Sequence, residues 1–395
     1  MNTTAQSVGK KAKVSVNLRD YGIMAALVLI IIVFAGLTKG ALLEPNNVAA
    51  LIKQNAYVMI LTVGMTMVII ARHIDLSVGS VVAFVGAVVA IAMKDYDIPW
   101  VLAVVIGLLV GVLIGAWHGF WVAYVGIPAF IVTLGGMLIF RGLAIITLGG
   151  LTVSSLPSGF VKIASGSLPP WLGYAGNFDV VTLIIGVIAM AGVVWMSFRS
   201  RMNQIHAGAA VENSGAWLGK NLVAIIGIGF ITYLLSLSAG GTPIVLIIIG
   251  VVVVLYTFVM NRTTFGRHIY AVGGNLKSAR LSGINTRRTD FLVMVNMSVL
   301  AALAGIITTA RAGSAVATAG NSYELDAIAA TFIGGTAVAG GVGKISGAII
   351  GALVMGVLNM GLSILSVDPA WQQAFKGLVV IVAVAADFVT SKRRS

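Results

Sequence analysis

The sequence predicts an all-α polytopic membrane protein, and three observations carry that prediction: an apolar composition, a scarcity of charge, and a succession of helix-length apolar runs. Hydrophobic residues fill 59% of the 395 positions, charged residues only 9%, and the mean hydropathy is +1.04. Soluble domains carry about a quarter charged residues. A chain this apolar has too few charges to cover a surface facing water. Lipid removes that conflict, because lipid-facing positions tolerate the same residues as the core. The 48 glycines fit the same class, since small residues let membrane helices approach closely and mark helix breaks. With no cysteine, disulfides, thiolate chemistry and Cys-ligated metals are excluded.

A spanning helix needs about 20 mostly apolar residues. Runs of that kind begin near Tyr21, Asn55, Leu76, Trp100, Ile127, Val180, Leu222, Pro243, Phe291, Leu325, Ile345 and Ala370, which predicts about twelve spans. The Leu325 run is crowded by Gly334, Gly335, Gly340 and Gly341 and reads as a re-entrant or broken helix. The first run is too long, and lacks the small-residue cleavage site, for a removable signal.

The formal charge of +13 is distributed as a membrane topology, not as a nucleic-acid footprint. Lys and Arg near helix ends stay cytoplasmic. Lys10, Lys11, Lys13 and Arg19 place the N-terminus inside; alternation then puts Arg72, Arg199, Arg201, Lys220, Arg262, Arg267, Arg280, Arg287, Lys344 and finally Lys392, Arg393 and Arg394 on the same side. Only Lys39, Lys53, Lys94, Lys162 and Arg311 fall near the opposite loops. The expected organisation is a cytoplasmic segment over 1–20, one transmembrane domain over 21–390 and a basic cytoplasmic tail over 391–395. Two connections are long: an outer loop from Leu151 to Asp179, and a basic inner loop from Asn261 to Asp290.

Gly107, Gly111, Gly115 and Gly119 recur every four residues, as do Gly343, Gly347 and Gly351. That spacing lines one helix face and predicts packing seams. At an offset of 241 residues Gly115 meets Gly356, His118 meets Asn359, and Pro128-Ala129-Phe130 meets Pro369-Ala370-Trp371, a weak internal repeat of the kind transporters carry. Ionisable residues at membrane depth cost several kcal/mol unless paired or hydrated. His73, Asp75, His118, Arg141, Glu324, Asp326 and Lys376 are such residues. Asp75 precedes a predicted helix start and has a capping role as its plain alternative. Gly341-Val342-Gly343-Lys344 is not a Walker A loop, since Val338 and Ile345 occupy the required Gly and Ser/Thr positions. His206 and His268 lack partners at metal-ligand spacing, so no metal site is expected.

Several strings resemble the permease subunit of ribose/xylose/galactose-type sugar ATP-binding-cassette importers. They include Ile74 to Ser80, Pro128 to Gly135, Phe265 to Asn275, Ser278 to Asn285, Tyr323 to Ala330, and Gly334-Gly335-Thr336 with Gly340-Gly341, in the family's order. The resemblance runs from about Asn46 to Asp387 and implies a homodimeric permease in a bacterial inner membrane. Its partners would be a cytoplasmic ATPase carrying the ATP and Mg, an extracytoplasmic sugar-binding protein, and membrane lipid. This chain itself would be neither an enzyme nor a holder of any cofactor. The inner loop, about 261–289, would supply the ATPase-coupling segment through Gly274, Asn275, Ser278, Ala279, Leu281, Ser282 and Gly283. Candidates for the translocation pathway are His73, Asp75, Phe130, Thr133, Arg141, Glu324, Asp326 and Asn359. A ten-helix family core plus an inserted hairpin over about 178–240 resembles the longer xylose-type members. A related permease for another small solute, or a stand-alone ion-coupled carrier using the intramembrane acids, are the alternatives.

Overall fold

The computed structural model describes residues 18–208, 211 and 213–392. Lys10, Lys11, Lys13, Arg393 and Arg394 lie outside them. The elements follow in chain order as α1 (Leu18–Leu37), α2 (Pro45–Gln54), α3 (Ala56–Ile70), α4 (Val78–Lys94), α5 (Trp100–Gly119), α6 (Ala129–Leu148), β1 (Val153–Ser154), α7 (Ser158–Ser165), β2 (Tyr174–Ala175), β3 (Phe178–Asp179), α8 (Val180–His206) and α9 (Ser214–Leu237). Then come α10 (Ile244–Arg262), α11 (Thr264–Gly274), α12 (Leu276–Leu281), α13 (Thr286–Ala312), β4 (Ser314–Ala315), α14 (Tyr323–Ile333), α15 (Ile345–Ile364) and α16 (Pro369–Lys392).

Each of the twelve apolar runs lies on a helix, but not each helix is a span by length. Among the described residues α5, α6, α8, α9, α10, α13 and α15 are long and apolar enough to cross a membrane, and α2 with α3, bent by 45° at Asn55, pass as one more. The helix expected from Leu325 is α14, only 11 residues. At 1.5 Å per residue it covers about half of a hydrocarbon core about 30 Å thick. Its ends explain the shortness: Ser322 before it and Gly335, Gly340 and Gly341 after it all have positive φ.

Two compact units divide the chain. The smaller comprises 170–237 of the described residues beyond Leu18. In it β2 and β3 form a tight antiparallel ribbon with Tyr174 opposite Asp179. The Asp179 carboxylate then caps α8 by accepting from the Val181 and Thr182 N–H groups at 3.3 and 3.2 Å. At the far end of the α8–α9 hairpin the Arg201 guanidinium lies 5.3 Å from the Trp217 ring centre.

The larger unit holds 19–169 and, of the described residues, 238–392. Every residue of α3 is buried, as expected of a helix apolar all round. Its hydroxyls are satisfied within the helix, Thr62 on the Val58 carbonyl at 2.6 Å and Thr66 on the Thr62 carbonyl at 2.7 Å. Around α13 the small-residue seams decide the packing. A Cβ on Gly111 would lie 2.5 Å from Ala302 Cβ, one on Gly115 2.5 Å from Val295 Cα, and one on Gly119 2.8 Å from the Phe291 ring; one on Gly107 would meet Val89 at 2.6 Å and Ile306 at 3.3 Å. Gly347 and Gly351 of α15 likewise meet the backbone of Gly334 and Ala330 at the end of α14, and Gly343 meets Thr336 and Ile70. The expected outer loop contains β1, which pairs with β4 (Val153 opposite Ala315), and α7, whose Phe160 and Ala164 are buried. The loop is anchored by Lys53, whose Nζ donates to the Ser165 carbonyl at 2.8 Å and Ser167 Oγ at 3.1 Å.

Candidate functional site

Two short or late-starting helices, α4 and α14, begin against each other. The chain leaves α3 at Ile70 and runs without helical bonding from His73 to Ser77 before α4 starts. Asp75 is 1% exposed, and its Oδ1 accepts from the Ser77 N–H at 2.8 Å and the Ser77 hydroxyl at 2.6 Å. Its charge is therefore held in a local turn at the helix start, where an anion complements the helix dipole. Thr133 of α6 accepts from the Leu76 N–H at 3.2 Å, and its hydroxyl stands 3.3 Å from the Ile74 carbonyl. One turn on, Gly79 faces the carbonyl of Gly320, and a Cβ on it would also lie 2.5 Å from Glu324 Oε2. Gly320 meets the Gly79 carbonyl in return, at φ +72°.

The next turn of α14 is tied elsewhere. Asp326 is fully buried, and its Oδ2 accepts from the Tyr57 hydroxyl at 2.6 Å and from Lys376 Nζ at 3.0 Å. The Tyr57 ring stacks on Tyr323 with centroids 3.5 Å apart. Arg141 donates through Nη1 to the carbonyls of Ala317 and, at 2.7 Å, Ala319, so α6 holds the segment leading into α14. The candidate acids are thus distributed. Asp75 and Thr133 both bond to the turn that starts α4 and Glu324 meets α4 at Gly79, whereas the Asp326 carboxylate bonds to Tyr57 of α3 and Lys376 of α16.

The remaining candidates sit apart. His73 Nε2 approaches Asp290 Oδ1 at 3.2 Å without hydrogen-bond alignment, beside a cleft whose rim includes Phe130, 52% exposed. Asn359 donates to Asn55 Oδ1 at 3.1 Å, at the bend between α2 and α3. His118 is fully buried against Gly136 with neither ring nitrogen hydrogen-bonded. Tyr57 is a residue the sequence did not single out; its only signal was a phenol inside an otherwise apolar run. Among the described residues no group of three or more His, Asp or Glu could hold a metal ion.

The basic inner loop is helical. Asn275 caps α12 by accepting from the Ser278 N–H at 3.0 Å, and Gly283 ends it at φ +79°. Ala279 points inward and is 4% exposed, whereas Leu281 is 90% exposed. This loop is bonded to the segment following α14. Tyr270 donates to the Gly343 carbonyl at 2.8 Å, the Gly341 N–H donates to the Ile70 carbonyl at 2.9 Å, and Gly273 would clash with both Ile70 and Gly341 if it carried a Cβ. Contacts of α11, through Tyr270 and Gly273, thus join the inner loop to the Gly341–Gly343 segment between α14 and α15 and to the end of α3.

A helical membrane chain with two opposed helix starts and a capped, exposed inner helix has relatives of known kind. The family model for the permease component of branched-chain amino acid transport systems matches residues 47–384. The chain belongs to this permease family. It is therefore a multi-pass membrane transport component and not an enzyme. The permease is 41% identical to the xylose transport system permease protein of Escherichia coli K12 over 96% of its own length and 94% of that protein. It is 38% identical to the Haemophilus influenzae xylose permease over 96% and 98% of the two chains. To the ribose import permease protein of E. coli K12 it is 33% identical over 87% and 85%. No solved structure matches it.

Proposed function

We propose that the permease forms, as one of two copies, the translocation pathway of an ATP-driven importer for a monosaccharide, with a pentose of the xylose type first among them. The observation that carries this reading is α12: a capped helix presenting Leu281 to solvent, next to α11, whose Tyr270 donates to Gly343 in the segment between α14 and α15. A chain that powered itself would have no use for an exposed apolar handle of that kind. Such a handle suits docking into a groove of a cytoplasmic ATPase, whose ATP-driven closure would push α11 and α12 and, through the Gly273–Gly341 contact, shift α14 against α4. The residues Gly274, Asn275, Ser278, Ala279, Leu281, Ser282 and Gly283 form the coupling segment in this reading. An extracytoplasmic binding protein would deliver the sugar at the opposite face. Relatives named for xylose and ribose, at 41% and 33% identity, support a sugar over the amino acid after which the family is named.

The pathway itself is assigned to the opposed starts of α4 and α14 and to the α6 residues beside them. Thr133, Arg141 and Glu324 stand there, with Asp75 supporting the α4 turn. Asp326 and Asn359, bonded to α3, α16 and Asn55, hold the wall. The ion-coupled alternative loses ground on the same geometry, because Asp75 is bound in its own turn and Asp326 is paired with Lys376.

Reconstitution in liposomes with the ATPase and binding protein of the same system tests the proposal. ATP-dependent uptake of labelled xylose, absent without the ATPase, is expected. Uptake of leucine in its place, or xylose uptake by the permease alone on an ion gradient, would overturn it.

A further inference from the structure

On the face that carries α11 and α12, a cleft of about 480 Å³ opens between the end of α5 and the start of α13. Its volume lies in the range of small-molecule sites, about 300–1,000 Å³. It is lined by Arg72, His73, Arg280, Thr286, Arg287 and Asp290, and by the backbone from Val122 to Phe130. Three arginines and a single carboxylate therefore line one cleft, and that carboxylate already faces His73 at 3.2 Å.

The arginines are only partly used by the fold. Arg72 Nε donates to the Ala339 carbonyl at 3.1 Å and Arg280 Nε to Thr286 Oγ1 at 3.3 Å. Those bonds aim each side chain through its inner nitrogen and leave the terminal fork, the part suited to bidentate oxyanions. Like charges gathered this way repel one another unless a counter-charge sits among them.

The backbone wall is irregular in a way a helix bundle does not need. The helical run of α5 ends in a π turn over Phe120–Val125, stopped by Gly126 at φ +87°. There the Gly126 and Ile127 N–H groups both donate to the Trp121 carbonyl at 3.1 Å. π turns concentrate at functional sites, because the extra residue widens the helix and opens space beside it. On the other side Thr286 begins α13, a helix of 27 residues whose positive dipole end adds to the arginines.

We infer that this cleft binds a phosphate group. A neutral sugar has no use for three guanidinium groups, and a phosphate offers the several oxygens that their forks can share. The group could be carried by a free phosphate-bearing solute or by a phospholipid headgroup, since both present the same chemistry to the arginines. The inference stands on the cleft alone, whichever solute the permease transports.

The test uses the intact permease in nanodiscs of neutral phosphatidylcholine. Inorganic phosphate is titrated at constant ionic strength against chloride and followed by tryptophan fluorescence, Trp121 lying in the cleft wall's own turn. In parallel, nanodiscs are assembled from phosphatidylcholine with phosphatidylglycerol, and the lipid retained by the permease is measured. Saturable phosphate binding that Arg72→Gln with Arg287→Gln weakens by about tenfold or more, equivalent to about 1.4 kcal/mol, supports a solute source. Selective retention of phosphatidylglycerol, lost in the same double variant, supports a lipid source. Should the double variant fail to insert, Arg287→Gln alone is read instead; its side chain is exposed and makes no hydrogen bond or ion pair among the described residues. Equal behaviour of wild type and variants toward both probes overturns the inference.

Discussion

Gly79 and Gly320 touch backbone to backbone, each Cα directed at the other's carbonyl, so that the starts of α4 and α14 meet where neither position has room for a side chain. The contact makes the α4–α14 junction the place in the proposed pathway where small substitutions should be felt most.

Alanine at Gly320 adds a clash with the Gly79 backbone to a positive φ of +72°. Overpacking and left-handed strain each cost about 1–3 kcal/mol. We expect Gly320→Ala to lower the thermal midpoint of the purified permease and to abolish uptake, whereas Gly135→Ala, with open space around it, should change neither. Thermal unfolding and uptake assays on the two variants decide it.

Asp326 and Lys376 form a buried pair, with Tyr57 as a second donor. Removing one partner of such a pair costs about 3–5 kcal/mol, while replacing both together is far milder. Asp326→Asn should therefore leave the Lys376 ammonium stranded and reduce folded yield. Asp326→Asn combined with Lys376→Met should recover most of it. A double-mutant cycle by thermal unfolding reads the coupling, and additive losses would show that the two side chains do not interact.

Leu281 makes no demand on stability at 90% exposure, and surface substitutions of that kind stay within about 0.5 kcal/mol. Leu281→Asp is expected to leave membrane insertion and melting unchanged yet remove sugar-stimulated ATP hydrolysis in the reconstituted complex. Gly283→Trp should likewise leave insertion intact and remove stimulation, with a lower melting point because tryptophan strains the left-handed turn at φ +79°. Normal stimulation in both variants would sink the coupling assignment.

Asp75 serves its own turn through one oxygen, accepting twice from Ser77. Asn retains that acceptor and Ala does not, and losing such a cap costs about 0.5–2 kcal/mol. Asp75→Asn should thus transport nearly as wild type, with Asp75→Ala less stable. Complete loss of uptake in Asp75→Asn would instead mark the charge itself as required, as an ion-coupled carrier would need.

Much of the fold was legible in the chain. The apolar runs named all twelve principal helices, because burial in lipid or core demands apolarity over a helix length whatever the neighbours are. The glycines at spacing four announced packing seams on α5 and α15, since four residues return to the same helix face; that α13 and α14 fill them came from the fold. The junction was only half legible. Tyr323 to Ala330 and Ile74 to Ser80 were visible as strings, but nothing local says that Gly79 lies on Gly320. Nor could spacing reveal Tyr57, which reaches Asp326 across 269 residues of chain.

The sequence by itself determined the medium, the number of apolar helices and the clustering of basic residues, because these follow from transfer free energies that each segment obeys alone. Only the tertiary structure decided which helices are long enough to cross, that α14 stops after 11 residues, and that Asp326 is spent on Lys376 while Arg141 is spent on two carbonyls. Those outcomes depend on which backbone polar groups and charges find partners in a place without water, and a partner is a property of the packed chain, not of its residues one by one.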